Sequence, residues 1–140
     1  MQGFHFEDLS IGQSAEITRV VGAADIDAFA AVSGDDNPVH VDADYAKTTS
    51  FQERIAHGML SGAYISAVLG TRLPGPGAIY LNQSLRFRRP VRIGDAITAR
   101  ATVTALDERR GQVTLATICL VDGKTVVEGE AVVMVPKRGA

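Results

Sequence analysis

Gly58-Met59-Leu60-Ser61-Gly62-Ala63-Tyr64-Ile65-Ser66-Ala67-Val68-Leu69-Gly70-Thr71 contains no charged residue, and its reading decides the fold. The run is shorter than the roughly 20 apolar residues a membrane span needs. Its apolar and small side chains fall all the way round a helical wheel, which predicts a helix buried on every side. Gly58, Gly62, Ala63, Ser66 and Ala67 would let strands or a partner helix approach closely. At about 1.5 Å per residue the helix runs roughly 20 Å, the length of strands in a small sheet.

What it packs against is written downstream. After the Gly/Pro loop Leu73-Pro74-Gly75-Pro76-Gly77, Ile79, Leu81, Leu85 and Phe87 alternate with Tyr80, Asn82, Ser84 and Arg86, the pattern of one half-buried strand. Beyond Pro90 and Gly94-Asp95, Ile97, Ala99, Ala101 and Val103 alternate with Thr98, Arg100, Thr102 and Thr104. Val113, Leu115, Thr117, Cys119 and Val121 make a third strand. Asp122-Gly123 signals a tight hairpin into a fourth, Thr125 to Val135. These four predict an antiparallel meander. A sheet with one apolar face needs a cover, and the uncharged helix is the element apolar enough to supply it, so the fold class is α+β. Sheet edges and helix faces the sheet cannot reach predict pairing with a second copy.

Upstream, Phe4, Phe6, Leu9 and Ile11 are possible anchors, and a strand is expected from about Ser14 to Val21 on β-branched content. Ala24 to Val32 has helical spacing with acids in its first turn, and stops at Ser33-Gly34. The chain then enters Asp35-Asp36-Asn37-Pro38-Val39-His40. Gly34 and Pro38 predict a fixed irregular loop. Asp35 and His40 lie on different faces at helical spacing, but a turn through Asn37-Pro38 could bring them together around one water as an acid/base pair. The same composition also suits a solvated turn. It does not fit a calcium loop, because Val39 and His40 stand where an oxygen ligand and a Gly are needed, and no paired Cys or HExxH accompanies it. Asp42 is a plausible N-cap for a short helix through Tyr45 and Ala46.

At 140 residues the chain fits a single domain spanning 1–140. With 46% hydrophobic and 21% charged residues it reads as globular, and a net charge of −2 argues against nucleic acid as a partner. The single Cys119 sits in an apolar strand and cannot form an internal disulfide, which suggests a reducing compartment. No signal peptide is visible at the N-terminus, so a cytoplasmic location is expected.

Phe29-Ala-Ala-Val32-Ser33-Gly34-Asp35-Asp36-Asn37-Pro38-Val39-His40, with Ala46 after five intervening residues, resembles the hydratase-2 motif of MaoC-like (R)-specific enoyl-CoA hydratases. His57-Gly58-Met59 resembles the start of that family's central helix, and Phe87-Arg88-Arg89-Pro90-Val91 with Gly94-Asp95 its strand-turn signature. The resemblance covers about Val21 to Ala105. It implies the hot-dog fold, a sheet wrapped around a long central helix, as a homodimer. It implies addition of water to a trans-2-enoyl thioester, giving the (R)-3-hydroxyacyl thioester with no metal or redox cofactor. Carried over by position, Asp35 and His40 are the catalytic pair, and Gly58 gives a backbone N–H to the thioester oxygen. Asn37 orients the loop or ligand, and Ser66 and Leu69 lie where the family's acyl pocket is found; core packing is the plainer reading of Leu69. Arg86 and Arg88, clustered with Arg89 and Arg92, are placed to bind the phosphates of an acyl-CoA, or else form a solvated strand edge. His57 reads as a cap or packing residue. Asp36 departs from the family pattern, in which many relatives carry an aromatic or apolar residue; it either perturbs Asp35 or faces solvent. The neighbouring readings are an acyl-carrier-protein dehydratase and, in a different class, a hot-dog thioesterase or thioester-binding module.

Overall fold

The computed structural model describes residues 2–139. A 3₁₀ turn at Phe6–Asp8 precedes β1 (Ser14–Val20), α1 (Ala23–Ser33) and the short helices α2 (Pro38–Val41) and α3 (Ala43–Ala46). Then come the long α4 (Gly58–Thr71), β2 (Ile79–Gln83), β3 (Arg86–Phe87), β4 (Ala96–Asp107), β5 (Gln112–Val121) and β6 (Lys124–Met134). The strands form one antiparallel sheet in the order β1-β4-β5-β6-β2, with β3 also on β6, and α4 lies against its concave, apolar side. This is the hot-dog fold.

α4 begins and ends where the uncharged run does. Leu60, Ile65, Val68 and Leu69 are buried against Ile97, Ala99, Ala101 and Val103 of β4 and Val113, Leu115 and Cys119 of β5, the residues whose alternation predicted an inward face. Burying each large aliphatic side chain is worth roughly 1.5–3 kcal/mol, so this contact is the main stabilising term available to the helix. Burial on every side is not realised. Met59, Ala63, Ser66 and Gly70, spaced four, three and four, form an exposed stripe along α4, because a single sheet reaches only part of a helix's circumference.

Two expectations for the strands need correction. The four strands are not a meander: β2 lies beyond β6 instead of beside β4. Nor is Ile79 to Phe87 one half-buried strand. It breaks into β2 and β3, and Ile79, Tyr80 and Leu81 of β2 are all exposed. The break is built around Gly129 of β6, where a Cβ would stand 1.8 Å from the Ser84 carbonyl oxygen, so only glycine admits the crossing backbone. Ser84 is then tied to Glu130 by N–H to carbonyl (2.9 Å) and by Oγ accepting the Glu130 N–H (3.0 Å).

The hairpin between β5 and β6 turns at Asp122 and Gly123, both with positive φ (51° and 74°), as the Asp-Gly pair predicts. At the N-terminus Phe6 and Leu9 are the anchors, whereas Phe4 and Ile11 are exposed. Among the described residues no helix is long and apolar enough to cross a membrane.

Cys119 is fully buried, with its thiol 3.7 Å from the Ser61 carbonyl oxygen, and burial pushes its pKa up to about 12. At pH 8 only about one molecule in 10⁴ would carry the thiolate, which is the reactive species. A colorimetric disulfide reagent is therefore expected to find no thiol in the native protein and one after denaturation. Rapid native labelling would contradict this packing.

Candidate active site

Helix α1 ends on Gly34 in the left-handed conformation (φ 81°), its N–H bonded to the Ala30 carbonyl at 2.9 Å. This reverses the chain and sets Asp35 at the start of a short loop. Ser33 Oγ accepts the Asp35 N–H (3.1 Å), Asp35 Oδ1 the Asn37 N–H (3.3 Å) and Asn37 Oδ1 the Val39 N–H (3.1 Å), a chain of side-chain to backbone bonds. The irregular loop expected through His40 is shorter than that. Pro38 is the first residue of α2 and Asn37 its N-cap, so His40 sits on a helical turn: Pro with an Asn before it is also a helix-start signal. Asn37 thus orients the loop, and Asp42 caps α3 through Asp44 N–H (3.0 Å) and Tyr45 N–H (3.1 Å) as expected.

His40 is held from two adjacent residues. Arg54 donates Nε–H to its carbonyl (2.5 Å) while pairing with Asp27 of α1 through Nη2 (2.5 Å). The Ile55 carbonyl lies 2.8 Å from His40 Nδ1. A carbonyl only accepts, so Nδ1 carries the proton and the neutral ring presents its lone pair at Nε2. The segment 54–56 is itself fixed, Ile55 N–H bonding the Val39 carbonyl (3.3 Å) and Ala56 N–H the Val91 carbonyl (2.7 Å).

Sequence reasoning set His57 aside, and the structure brings it to the centre. It is the N-cap residue of α4 and 2% exposed. Its ring stacks on His40 (centroids 3.9 Å apart, 26° between planes) and tilts against Phe29 (4.8 Å, 51°). Its Nε2–H donates to the Asp35 carbonyl oxygen at 2.8 Å. No spacing rule links His40 and His57; a histidine leading an uncharged helix is the one signal in the sequence. Asp35, His40 and His57 offer ligand atoms within 4.8 Å of one another, but stacked rings send their in-plane lone pairs side by side instead of converging on one ion.

Beside this cluster, His40, His57, Gly58, Met59, Phe87, Arg88 and Arg89 line a cavity of about 410 Å³. Leu60 N–H is bonded to the His57 carbonyl (3.0 Å), the N–H groups of Gly58 and Met59 before it have no partner within the helix, and the helix dipole makes this end positive. At Gly58 a Cβ would lie 2.5 Å from the Phe87 ring, so the glycine lets that ring close over the helix start. A second, apolar cavity of about 520 Å³ adjoins through Met59 and is lined by Phe29, Gly62, Ala63, Ser66, Leu85 and residues 80–83 of β2.

The remaining sequence candidates separate. Ser66 lines the apolar cavity. Leu69 does not: it is 2% exposed in the core under β4 and β5, about a quarter-turn of α4 away from the exposed stripe. Arg88 lines the first cavity but is paired with Glu128 (2.6 and 3.1 Å). Arg86 lies instead in a depression with Ser84, Leu85, Glu128 and Gly129, while Arg89 joins the first cavity. Arg92 is engaged with the Phe51 carbonyl (2.7 Å) and Glu53 (3.3 Å). Asp36 is exposed, the solvent-facing alternative.

The chain is similar to known proteins. A family profile described as MaoC like domain matches residues 8–125. An (R)-specific enoyl-CoA hydratase of Rhodospirillum rubrum is 61% identical over 135 residues, which are 96% of this chain and 94% of that protein. The unliganded R-hydratase PhaJ1 of Pseudomonas aeruginosa superposes with a TM-score of 0.93 at 51% identity, over 97% of this chain and 88% of that one. An (R)-hydratase from A. caviae involved in PHA biosynthesis superposes at 0.90 with 47% identity, over 93% and 99%. The chain belongs to the MaoC-like dehydratase family.

Proposed function

We propose that this protein is an (R)-specific enoyl-CoA hydratase, a hydro-lyase that adds water reversibly to a trans-2-enoyl-CoA. The observation that carries the reading is that Asp35 and His40 bring a carboxylate oxygen and a ring nitrogen within 4.8 Å of each other, with His40 Nδ1–H committed to the Ile55 carbonyl and His40 lining the cavity at the start of α4. Both groups accept hydrogen bonds, so a water between them donates both its protons and keeps an oxygen lone pair for C3. As the C–O bond forms, the C2=C3 electron pair moves toward the thioester, and negative charge grows on the thioester oxygen. The Gly58 N–H at the positive end of α4 is suited to hold that charge. The water's proton, taken by one of the two acceptors, is then delivered to C2.

In this reading the acyl tail lies in the apolar cavity past Met59 and Ser66. The CoA end leaves past Arg88 and Arg89, with Arg86 in a separate depression beside Glu128. A homodimer completes it. The exposed Ile79, Tyr80 and Leu81 lie on the edge strand β2, and Tyr80 and Leu81 share the wall of the tail cavity with Met59, Ala63 and Ser66 of the α4 stripe, so a second copy seated there would also close that cavity. Leu81→Lys is expected to shift a sedimenting dimer to a monomer; a wild type that is monomeric at micromolar concentration would remove this part. A reducing, cytoplasmic setting agrees with the unpaired Cys119.

Crotonyl-CoA tests the reading. Loss of the conjugated enoyl absorbance without free thiol, with (R)-3-hydroxybutyryl-CoA as product, is expected; thiol release would mean a thioesterase instead. The basic rim also favours a second carrier, and a higher kcat/KM for crotonyl-acyl-carrier-protein than for crotonyl-CoA would shift the assignment to the dehydratase of that carrier.

A further inference from the structure

We infer that His57 is a positioning residue for hydration, locking Asp35 and His40 into one geometry and transferring no proton itself; the inference rests on the hydratase reading above. Three observations converge on it. First, the Nε2–H bond to the Asp35 carbonyl ties the loop after α1 to the first residue before α4, so one ring sets the distance between the carboxylate and the Gly58 N–H. Second, the same ring lies flat on His40 and is backed by Phe29, so His40 is pressed between a stacked neighbour on its face and the Ile55 carbonyl at its edge. Third, the arrangement carries a cost. With Nε2 protonated, the neutral ring has its lone pair at Nδ1, and this is the one buried side-chain polar atom without a hydrogen-bond partner among the described residues. A phenylalanine would fill the same space next to Phe29 without that unpaired nitrogen. Packing alone therefore does not account for an imidazole here, whereas the need for a donor toward Asp35 does.

The chemistry makes the locking matter. Acid/base transfer and attack at C3 both require the water, the two acceptors and the enoyl carbons to meet within a fraction of an ångström. Misplacement of about 1 Å costs on the order of 10²-fold. His57 forms part of the cavity wall, but it is 2% exposed, its Nδ1 is buried and its Nε2–H is spent on the Asp35 carbonyl, so its loss is expected to act on the rate of the bound complex more than on binding.

Two variants of the full-length protein test this with crotonyl-CoA. His57→Phe keeps a ring against His40 and Phe29 but removes the donor. It is expected to melt close to wild type, to keep KM within about twofold, and to lose roughly 10- to 100-fold in kcat. His57→Gln removes the ring but keeps an N–H able to reach the Asp35 carbonyl, and it is expected to recover most of that kcat. Wild-type kcat in His57→Phe would overturn the inference, as would a Gln variant damaged as severely as the Phe one, since ring volume would then be what counts. A rise in KM at unchanged kcat would also overturn it, by making His57 a binding residue. Should the Phe variant not fold, His57→Gln decides alone: near-wild-type kcat supports the donor role and a loss beyond tenfold refutes it. Failure of the hydratase reading looks different, because wild type itself would then leave the crotonyl-CoA absorbance unchanged.

Discussion

Asp35→Asn is expected to reduce hydration of crotonyl-CoA by about 10²–10⁴-fold, the range that a positioned acid/base group contributes, with the protein still folded. The exchange keeps the size of the side chain and its Oδ1 acceptor for the Asn37 N–H, so the turn survives. What it removes is one of the two groups proposed to receive the water's protons, because the amide nitrogen of Asn donates instead. Asp35 forms no ion pair among the described residues and is exposed, so its charge has no structural partner to lose. His40→Ala should lose activity on the same scale but differ in stability. Its ring lies between Ile55 and His57, and truncation leaves the Ile55 carbonyl without its donor, a cost of about 1–3 kcal/mol. Measuring kcat together with the melting temperature separates the two effects. If either variant keeps a tenth of wild-type turnover, the pair is not the machinery.

The second large effect is expected at Gly58. A Cβ there would overlap Phe87 at 2.5 and 2.6 Å, and the half-exposed ring is what must yield. It would swing into the cavity that receives the thioester, or the first turn of α4 would shift and carry the N–H away from the thioester oxygen. Removing one donor of this kind costs about 10²–10³ in rate. Gly58→Ala should therefore fall by about that factor in kcat/KM, with only a modest change in stability. Pairing it with Phe87→Ala distinguishes overlap from an intrinsic need for glycine: the double variant is expected to regain at least about tenfold. A single variant with near-normal kcat/KM would show that the thioester oxygen is held elsewhere.

How far the sequence could be read depends on the range over which each feature is determined. The limits of α4, the inward faces of β4 and β5 and the Asp122-Gly123 turn are set by periodicity or local backbone preference, and all were legible. The position of β2 was not. It depends on Gly129 admitting the Ser84 carbonyl, a contact across 45 positions that no local pattern encodes. The same holds at the site. The motif containing Asp35 and His40 is contiguous and could be read, whereas the role of His57 depends on a ring stacked on a residue 17 positions away. The pairing of Arg88 with Glu128, which spans 40 positions, is equally beyond any local pattern.

The two adjoining cavities have Met59 as their one common lining residue. The groups assigned to the reaction belong to residues 35–58, while the apolar cavity draws most of its wall from later turns of α4 and from β2. If the apolar cavity takes the acyl tail as proposed, selection can reshape it without disturbing the reacting carbons. Preference for short or long acyl groups can drift among descendants while the stereochemical course stays the same. Met59, unbranched and flexible, is the hinge of that independence: a stiff or bulky residue there would couple the two compartments, and changes in chain-length range would then come at the expense of turnover.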